Sequence, residues 1–126
     1  MESKQTAQLC AAYSLEKKAF NVRLLEVKGL SSLTDYLVLA SGRSDRQVQA
    51  IAESVKDGLK KNHTQAPLAI EGMNEGRWVL IDFGDVMVHV FQEPVREFYD
   101  LDGLWQEAQE LPVDEQLLIK VSAASS

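Results

Sequence analysis

Apolar and polar positions along the chain change period several times, and each change marks an element. Leu9, Ala12, Tyr13 and Ala19 or Phe20 recur near helical spacing, which predicts a first, packing helix over Thr6 to Lys18. From Val22 to Val27 and from Tyr36 to Ser41 the pattern turns to branched and aromatic residues. Gly29, Ser31 and Ser32 lie between them, so two strands and a connection are expected. The run Tyr36-Leu37-Val38-Leu39-Ala40 is apolar on both faces, which places its strand centrally in a sheet. Ser44-Asp45-Arg46-Gln47 then reads as a capping box: the Ser44 hydroxyl accepts from the Gln47 amide and the Gln47 side chain reaches back to the Ser44 N–H. The helix that follows carries Val48, Ile51, Ala52, Val55 and Leu59 on one stripe. Arg46, Gln49, Glu53, Lys56 and Lys60 face water, so it should lie on the sheet. It is expected to end around Asn62-His63, before Pro67, with a short strand at Leu68 to Ile70.

Trp78 to Phe91 has the most legible pairing. With Gly84-Asp85 as a two-residue turn and positive φ at Gly84, Phe83 faces Val86, Ile81 faces Val88 and Val79 faces Val90. One side of this hairpin is then wholly apolar. The other pairs Asp82 with Met87, Leu80 with His89 and Trp78 with Phe91. Pro94 opens a last helical region in which Val95, Phe98, Leu101, Leu104, Trp105 and Ala108 supply apolar contacts and Gly103 is the expected break. Pro112 should close the domain, at residues 1–112. Leu117-Leu118-Ile119 and the Ser/Ala end find no place in that core, so 113–126 is expected to be a frayed tail.

Composition sharpens this picture at one point. The 126 residues, 45% hydrophobic and 25% charged, suit one globular domain, and the net charge is −6. That charge is uneven. Residues 75–115 hold eleven carboxylates against only Arg77 and Arg96. Such a half disfavours direct binding to nucleic acid and attracts basic partners. The single cysteine, Cys10, excludes an internal disulfide and a cysteine-based zinc site and fits a reducing compartment, and no apolar run is long enough for a membrane span; the cytoplasm is the expected location.

Candidate chemistry is sparse. Asp82-Phe83-Gly84 spells a kinase tripeptide without the glycine-rich and catalytic loops that a kinase requires. Gly42-Arg43-Ser44 at a helix start, with Asp82 and Asp85 downstream, only faintly suggests a nucleotidyl transfer site, in which carboxylates would hold magnesium against a triphosphate. The predicted register puts those aspartates at opposite edges of a tight turn, which favours local hydrogen-bond roles instead. His63 at a helix end and His89 on the mixed hairpin face have no partner at ligand spacing, and Cys10 has no activating base. No metal or cofactor set is read. The aromatic second face of the hairpin is therefore either covered by the last helical region, through Phe98 and Trp105, or offered to a partner.

Thr34-Asp35-Tyr36, Ser44 to Val48, Glu71-Gly72, Trp78 to Phe91 and Arg96-Glu97-Phe98-Tyr99-Asp100-Leu101 resemble, in order and spacing, the ribosomal silencing factor or Iojap-like family. The resemblance covers about residues 5 to 107, and Phe83 stands where the family commonly has tyrosine. It implies an α/β fold: a single mixed-sheet domain with helices packed on it, nucleotidyltransferase-like but without a catalytic site. It also implies a non-enzymatic translation repressor. Members bind ribosomal protein number fourteen of the large subunit and sterically block joining of the small subunit when nutrients are short; a role in large-subunit maturation is the related alternative. On this basis Trp78 is expected to be the aromatic anchor, with Leu80, Met87 and His89 beside it, Asp82 and Asp85 pairing with basic groups, and Arg77 and Glu75 at the rim. The family also implies a homodimer, for which the N-terminal helix is the candidate contact.

Overall fold

A computed structural model describes residues 1–125. The chain runs α1 (Ser3–Glu16), β1 (Phe20–Glu26), β2 (Tyr36–Gly42), α2 (Asp45–His63), β3 (Ala69–Glu71), β4 (Trp78–Asp82), β5 (Val86–Gln92), α3 (Glu93–Tyr99), α4 (Leu101–Leu104), β6 (Gln109–Leu111) and α5 (Glu115–Ser125). The strands form one mixed sheet in the order β3-β4-β5-β2-β1-β6. Only β2 and β5 pair in parallel; α2, β3 and β4 make the crossover between them. This is the mixed α/β domain that the sequence predicts.

β2 lies centrally and every one of its residues is buried, as expected of a strand apolar on both faces. On one face Leu24, Val38, Ala40, Val79, Val88 and Val90 pack beneath α1 and α2. On the other, Leu25, Val27, Leu37, Leu39 and Phe91 pack against Val95 of α3, Leu101 of α4, Trp105 and Ala108. The α2 stripe of Val48, Ile51, Ala52, Val55 and Leu59 is fully buried. The Ser44 hydroxyl accepts from the Gln47 amide at 3.1 Å, but the reciprocal half of the box differs from expectation. Gln47 Oε1 accepts from the Arg43 N–H instead, while its Nε2 donates to the Lys18 carbonyl, tying the α2 start to the α1–β1 turn.

Three further expectations are corrected. The last helical region breaks at Asp100, in the left-handed region at φ 49°, and not at Gly103; the Asp100 carboxylate accepts from the Gly103 N–H and so caps α4. Phe98 and Leu104 are exposed and do not cover the sheet, whereas Trp105 does. Residues after Pro112 are not frayed: Asp114 accepts from the Gln116 and Leu117 amides to start α5, and α5 buries Val121, while β6, just before Pro112, pairs with β1 at the sheet edge. α1, flanked by α2 and α5, buries Ala7, Leu9, Cys10, Ala11, Ala12 and Tyr13 within its own chain. It leaves mainly polar residues such as Lys4 and Gln5 outside.

Candidate functional site: the half-covered face of the β4–β5 hairpin

The predicted hairpin register is the observed one, with Trp78 opposite Phe91, Leu80 opposite His89 and Asp82 opposite Met87. Gly84 takes φ 91°, and Phe83 donates its N–H to the Val86 carbonyl. Because paired residues share a face, the rows can be followed across the sheet. One row runs Glu71, Leu80, His89 and Leu39 from β3 to β2. Along it the exposure falls from an open Glu71 through half-buried Leu80 and His89 to a Leu39 sealed beneath the C-terminal helices. α3 and α4 thus cover the central half of this face and leave the β3–β4 half open.

The open half is aromatic and ordered. Trp78 packs its indole against Phe91, with ring centroids 5.4 Å apart, and against Tyr99 of α3 at 4.9 Å. Its Nε1–H donates to His89 Nδ1 at 3.0 Å, and the His89 ring stacks nearly parallel on Phe91. Accepting at Nδ1 places the imidazole proton on Nε2 and requires a neutral ring at that position. Glu71, Gly72, Trp78, Leu80 and His89 line a shallow cleft of about 320 Å³. Gly72 is required there: at φ 84°, a Cβ would lie 2.1 Å from the Trp78 carbonyl oxygen.

Burial pushes the His89 imidazole down to about 4. Above the ordinary histidine value both folded and unfolded chains carry it neutral. As pH falls from about 6.5 toward 4, the unfolded chain takes up a proton that the fold resists, so stability is lost with acidification. His89→Asn keeps an acceptor for the indole and removes this titration. Urea unfolding at pH 7.5 and 4.5 should show the wild type losing on the order of 2 kcal/mol more than this variant over that interval. Equal losses in the two proteins would remove the assignment.

The expected site residues do not all converge. Trp78, Leu80 and His89 line the cleft together, with Met87 and Asp82 in the next row of the same face. Asp82 Oδ1 accepts from the Gly84 N–H at 2.7 Å, a local turn bond. Asp85 sits at the far tip, where its carboxylate accepts from Ser3 Oγ at the start of α1, the helix on the opposite face of the sheet. The two aspartates therefore have separate partners, and no group of three or more His, Cys, Asp or Glu side chains among the described residues is placed to hold a metal ion. Glu75 and Arg77 are exposed in the connection to β4. Cys10 is fully buried and its thiol is pushed up by desolvation, away from reactivity. His63 lies against the Tyr13 hydroxyl at 3.4 Å, a packing role. No helix among the described residues is long and apolar enough to cross a membrane.

Pattern reasoning left Glu71, Gly72 and Tyr99 out of the site. Glu71 ends a three-residue strand that carries too little periodicity to orient, Gly72 is the positive-φ residue just after it, and Tyr99 reaches Trp78 only because the helix bearing it folds back across the sheet.

Comparison with known proteins gives this face a context. The family model described as ribosomal silencing factor during starvation matches residues 1–126, and so extends across the C-terminal segment beyond the stretch 5–107 that the motifs mark. Ribosomal silencing factor RsfS of Bacillus subtilis is 42% identical over 108 residues, covering 86% of this chain and 91% of that protein. The chloroplastic protein Iojap of Arabidopsis thaliana is 32% identical over 117 residues, covering 91% of this chain and 48% of that longer one. A crystal structure of a Chromobacterium violaceum protein superposes with a TM-score of 0.81 at 35% identity, covering 90% of this chain and 92% of its own. The bacterial relatives are named as silencing factors rather than as enzymes. A six-stranded mixed sheet, this hairpin and a match along the whole chain together place the protein in the ribosomal silencing factor (RsfS) family.

Proposed function

We propose that the protein represses translation in the cytoplasm by docking the open hairpin face on the large ribosomal subunit, at ribosomal protein number fourteen, and so excluding the small subunit. The observation that carries the reading is the half-open aromatic face around Trp78, on a domain of this family, rimmed by carboxylates. An ordered indole in a shallow apolar cleft is the kind of group that anchors interfaces. Of the eleven carboxylates between Glu75 and Glu115, Asp102 and Glu110 are paired within the chain by Arg96 and Arg23; the others suit a basic ribosomal protein, and complementary charge speeds encounter and suppresses wrong docking. Trp78, Leu80, Met87 and His89 form the centre of the contact, with Asp82, Glu75 and Arg77 at its rim. Asp85, turned toward Ser3, adds to the acidic field without entering the cleft.

Repression by exclusion is a competition, so it deepens with concentration over dissociation constant and requires no chemical step. Added to purified subunits, the protein should co-sediment with the large subunit and lower the yield of joined ribosomes in proportion to its occupancy. Raising ionic strength should slow association, because exposed charges are screened beyond roughly 8 Å at physiological salt. Binding without loss of joining would point to a maturation role instead. An association rate independent of salt would remove the electrostatic part.

A further inference from the structure

Arg96 is the only fully buried residue of α3, and at 5% exposure it is the most deeply buried charged side chain among the described residues. Its guanidinium is used on every side. Nε and Nη2 donate to the two oxygens of Asp102 at 2.9 and 2.8 Å, and Nη1 donates to the Asn21 carbonyl at 2.7 Å and to Ser41 Oγ at 2.9 Å. The Asn21 carbonyl is available because β1 is irregular there: Asn21 takes φ 50° and the register shifts between Phe20 and Arg23. Asp102 also accepts from Arg23, which in turn binds Glu110 of β6, so the chain of charges joins α3, α4, β1 and β6.

A seven-residue helix has little stability of its own, and α3 exposes Phe98 at 80% and Tyr99 at 55%. Val95 adds a partly buried apolar contact and the Glu93 carboxylate accepts from Asn21 Nδ2 at 3.2 Å at the helix start, but the buried directional hold on α3 is the Arg96 fork. Tyr99, three residues on, meets the Trp78 indole at 4.9 Å. Arg96 also lies over the Phe91 ring, 5.9 Å from its centroid, and Phe91 is the other aromatic support of Trp78.

Resting on the docking role proposed above, we infer that Arg96 is a positioning residue for partner binding: by clamping α3 to β1, β2 and α4 it holds Tyr99 against Trp78 and keeps the indole in its docking orientation. The partner then meets an anchor whose ordering cost is already met, which is how preorganisation raises affinity. Lysine cannot replace the fork, because one ammonium cannot donate in parallel to both Asp102 oxygens while reaching Asn21 and Ser41.

The test uses the full chain and isolated large ribosomal subunits, with Trp78→Ala, Tyr99→Ala, Arg96→Lys and the double variant Arg96→Lys/Tyr99→Ala. Tyr99→Ala and Arg96→Lys should each weaken binding by roughly tenfold, and the double variant should be scarcely weaker than either, since both act through one brace. In the free protein, in a Trp105→Phe background, acrylamide should quench Trp78 fluorescence more strongly in both single variants than in their parent. If Arg96→Lys does not fold, Asp102→Asn, which loosens the fork from its partly exposed partner, takes its place: it should raise Trp78 quenching and weaken binding in the same direction, and unchanged quenching and affinity in it overturn the inference. Unchanged affinity and quenching in Tyr99→Ala, or losses that simply add in the double variant, overturn the inference while leaving the docking reading intact if Trp78→Ala still binds weakly. Normal binding by Trp78→Ala instead overturns the docking reading, and quenching in the free protein then decides whether Arg96 positions the indole.

Discussion

Replacing Trp78 by alanine should weaken binding to isolated large subunits by roughly 30- to 150-fold, about 2–3 kcal/mol, with the fold retained. The indole is half-buried, so its removal leaves no sealed cavity; the sheet beneath it is held by Val79, Ile81, Val88 and Val90 on the opposite face. What is lost is the apolar area presented to a partner and the order that the His89, Phe91 and Tyr99 contacts confer on it. The unpaired His89 Nδ1 is left at a cleft open to water, which limits the cost to the free protein. Equilibrium sedimentation with large subunits reads the affinity and circular dichroism checks the fold. A folded Trp78→Ala protein that binds as tightly as its parent would place the contact elsewhere on the domain.

Truncation after Pro112 should have the largest effect on stability. α5 brings Val121, buried at 4% exposure, together with partly buried Leu117 and Leu118, onto the core beside α1. Gln8 fastens the segment by donating to the Pro112 carbonyl at 2.9 Å and accepting from the Asp114 N–H at 2.8 Å. With partly buried Val113, the segment carries one buried and three partly buried apolar side chains, and removing it should cost on the order of 3 kcal/mol, comparable to truncating one large buried side chain. For a domain of this length that lowers the melting temperature by roughly 10 °C. Calorimetry of residues 1–112 against the full chain measures it. A melting temperature within about 2 °C of the parent would make α5 a dispensable tail, as the pattern of Leu117-Leu118-Ile119 taken alone suggests.

These two experiments fall on either side of what the sequence makes legible. The hairpin was readable residue by residue because its turn, its alternation and its strand pairing all depend on neighbours within a few positions, and only one register puts an apolar row on one side while giving Gly84 the positive φ. The α2 stripe was readable for the same reason, with the Ser44 cap beside it. The reciprocal Gln47 bond was not, because Gln47 turns to carbonyls of the α1–β1 turn that only the tertiary fold brings near. The break at Asp100 was missed because Gly103 is the stronger local signal, while Asp100 is held in its left-handed conformation as the cap between α3 and α4.

Within the candidate site, the place of Trp78 opposite Phe91 and beside Leu80 and His89 follows from local pairing, and the acidic balance of residues 75–115 follows from composition. Whether that face was covered or open did not. α3 and α4 seal Leu37, Leu39 and Phe91 but stop short of Leu80, and the stopping line depends on a buried Arg96 whose partners lie at Asn21, Ser41 and Asp102. The sequence by itself determined the elements, the hairpin register and an unevenly acidic chain, since periodicity, turn chemistry and composition act over a few residues. Only the tertiary structure decided which half of the aromatic face stays open, that Tyr99 braces Trp78 and that α5 completes the core, since these follow from contacts between segments far apart in the chain, whose partners no local pattern names.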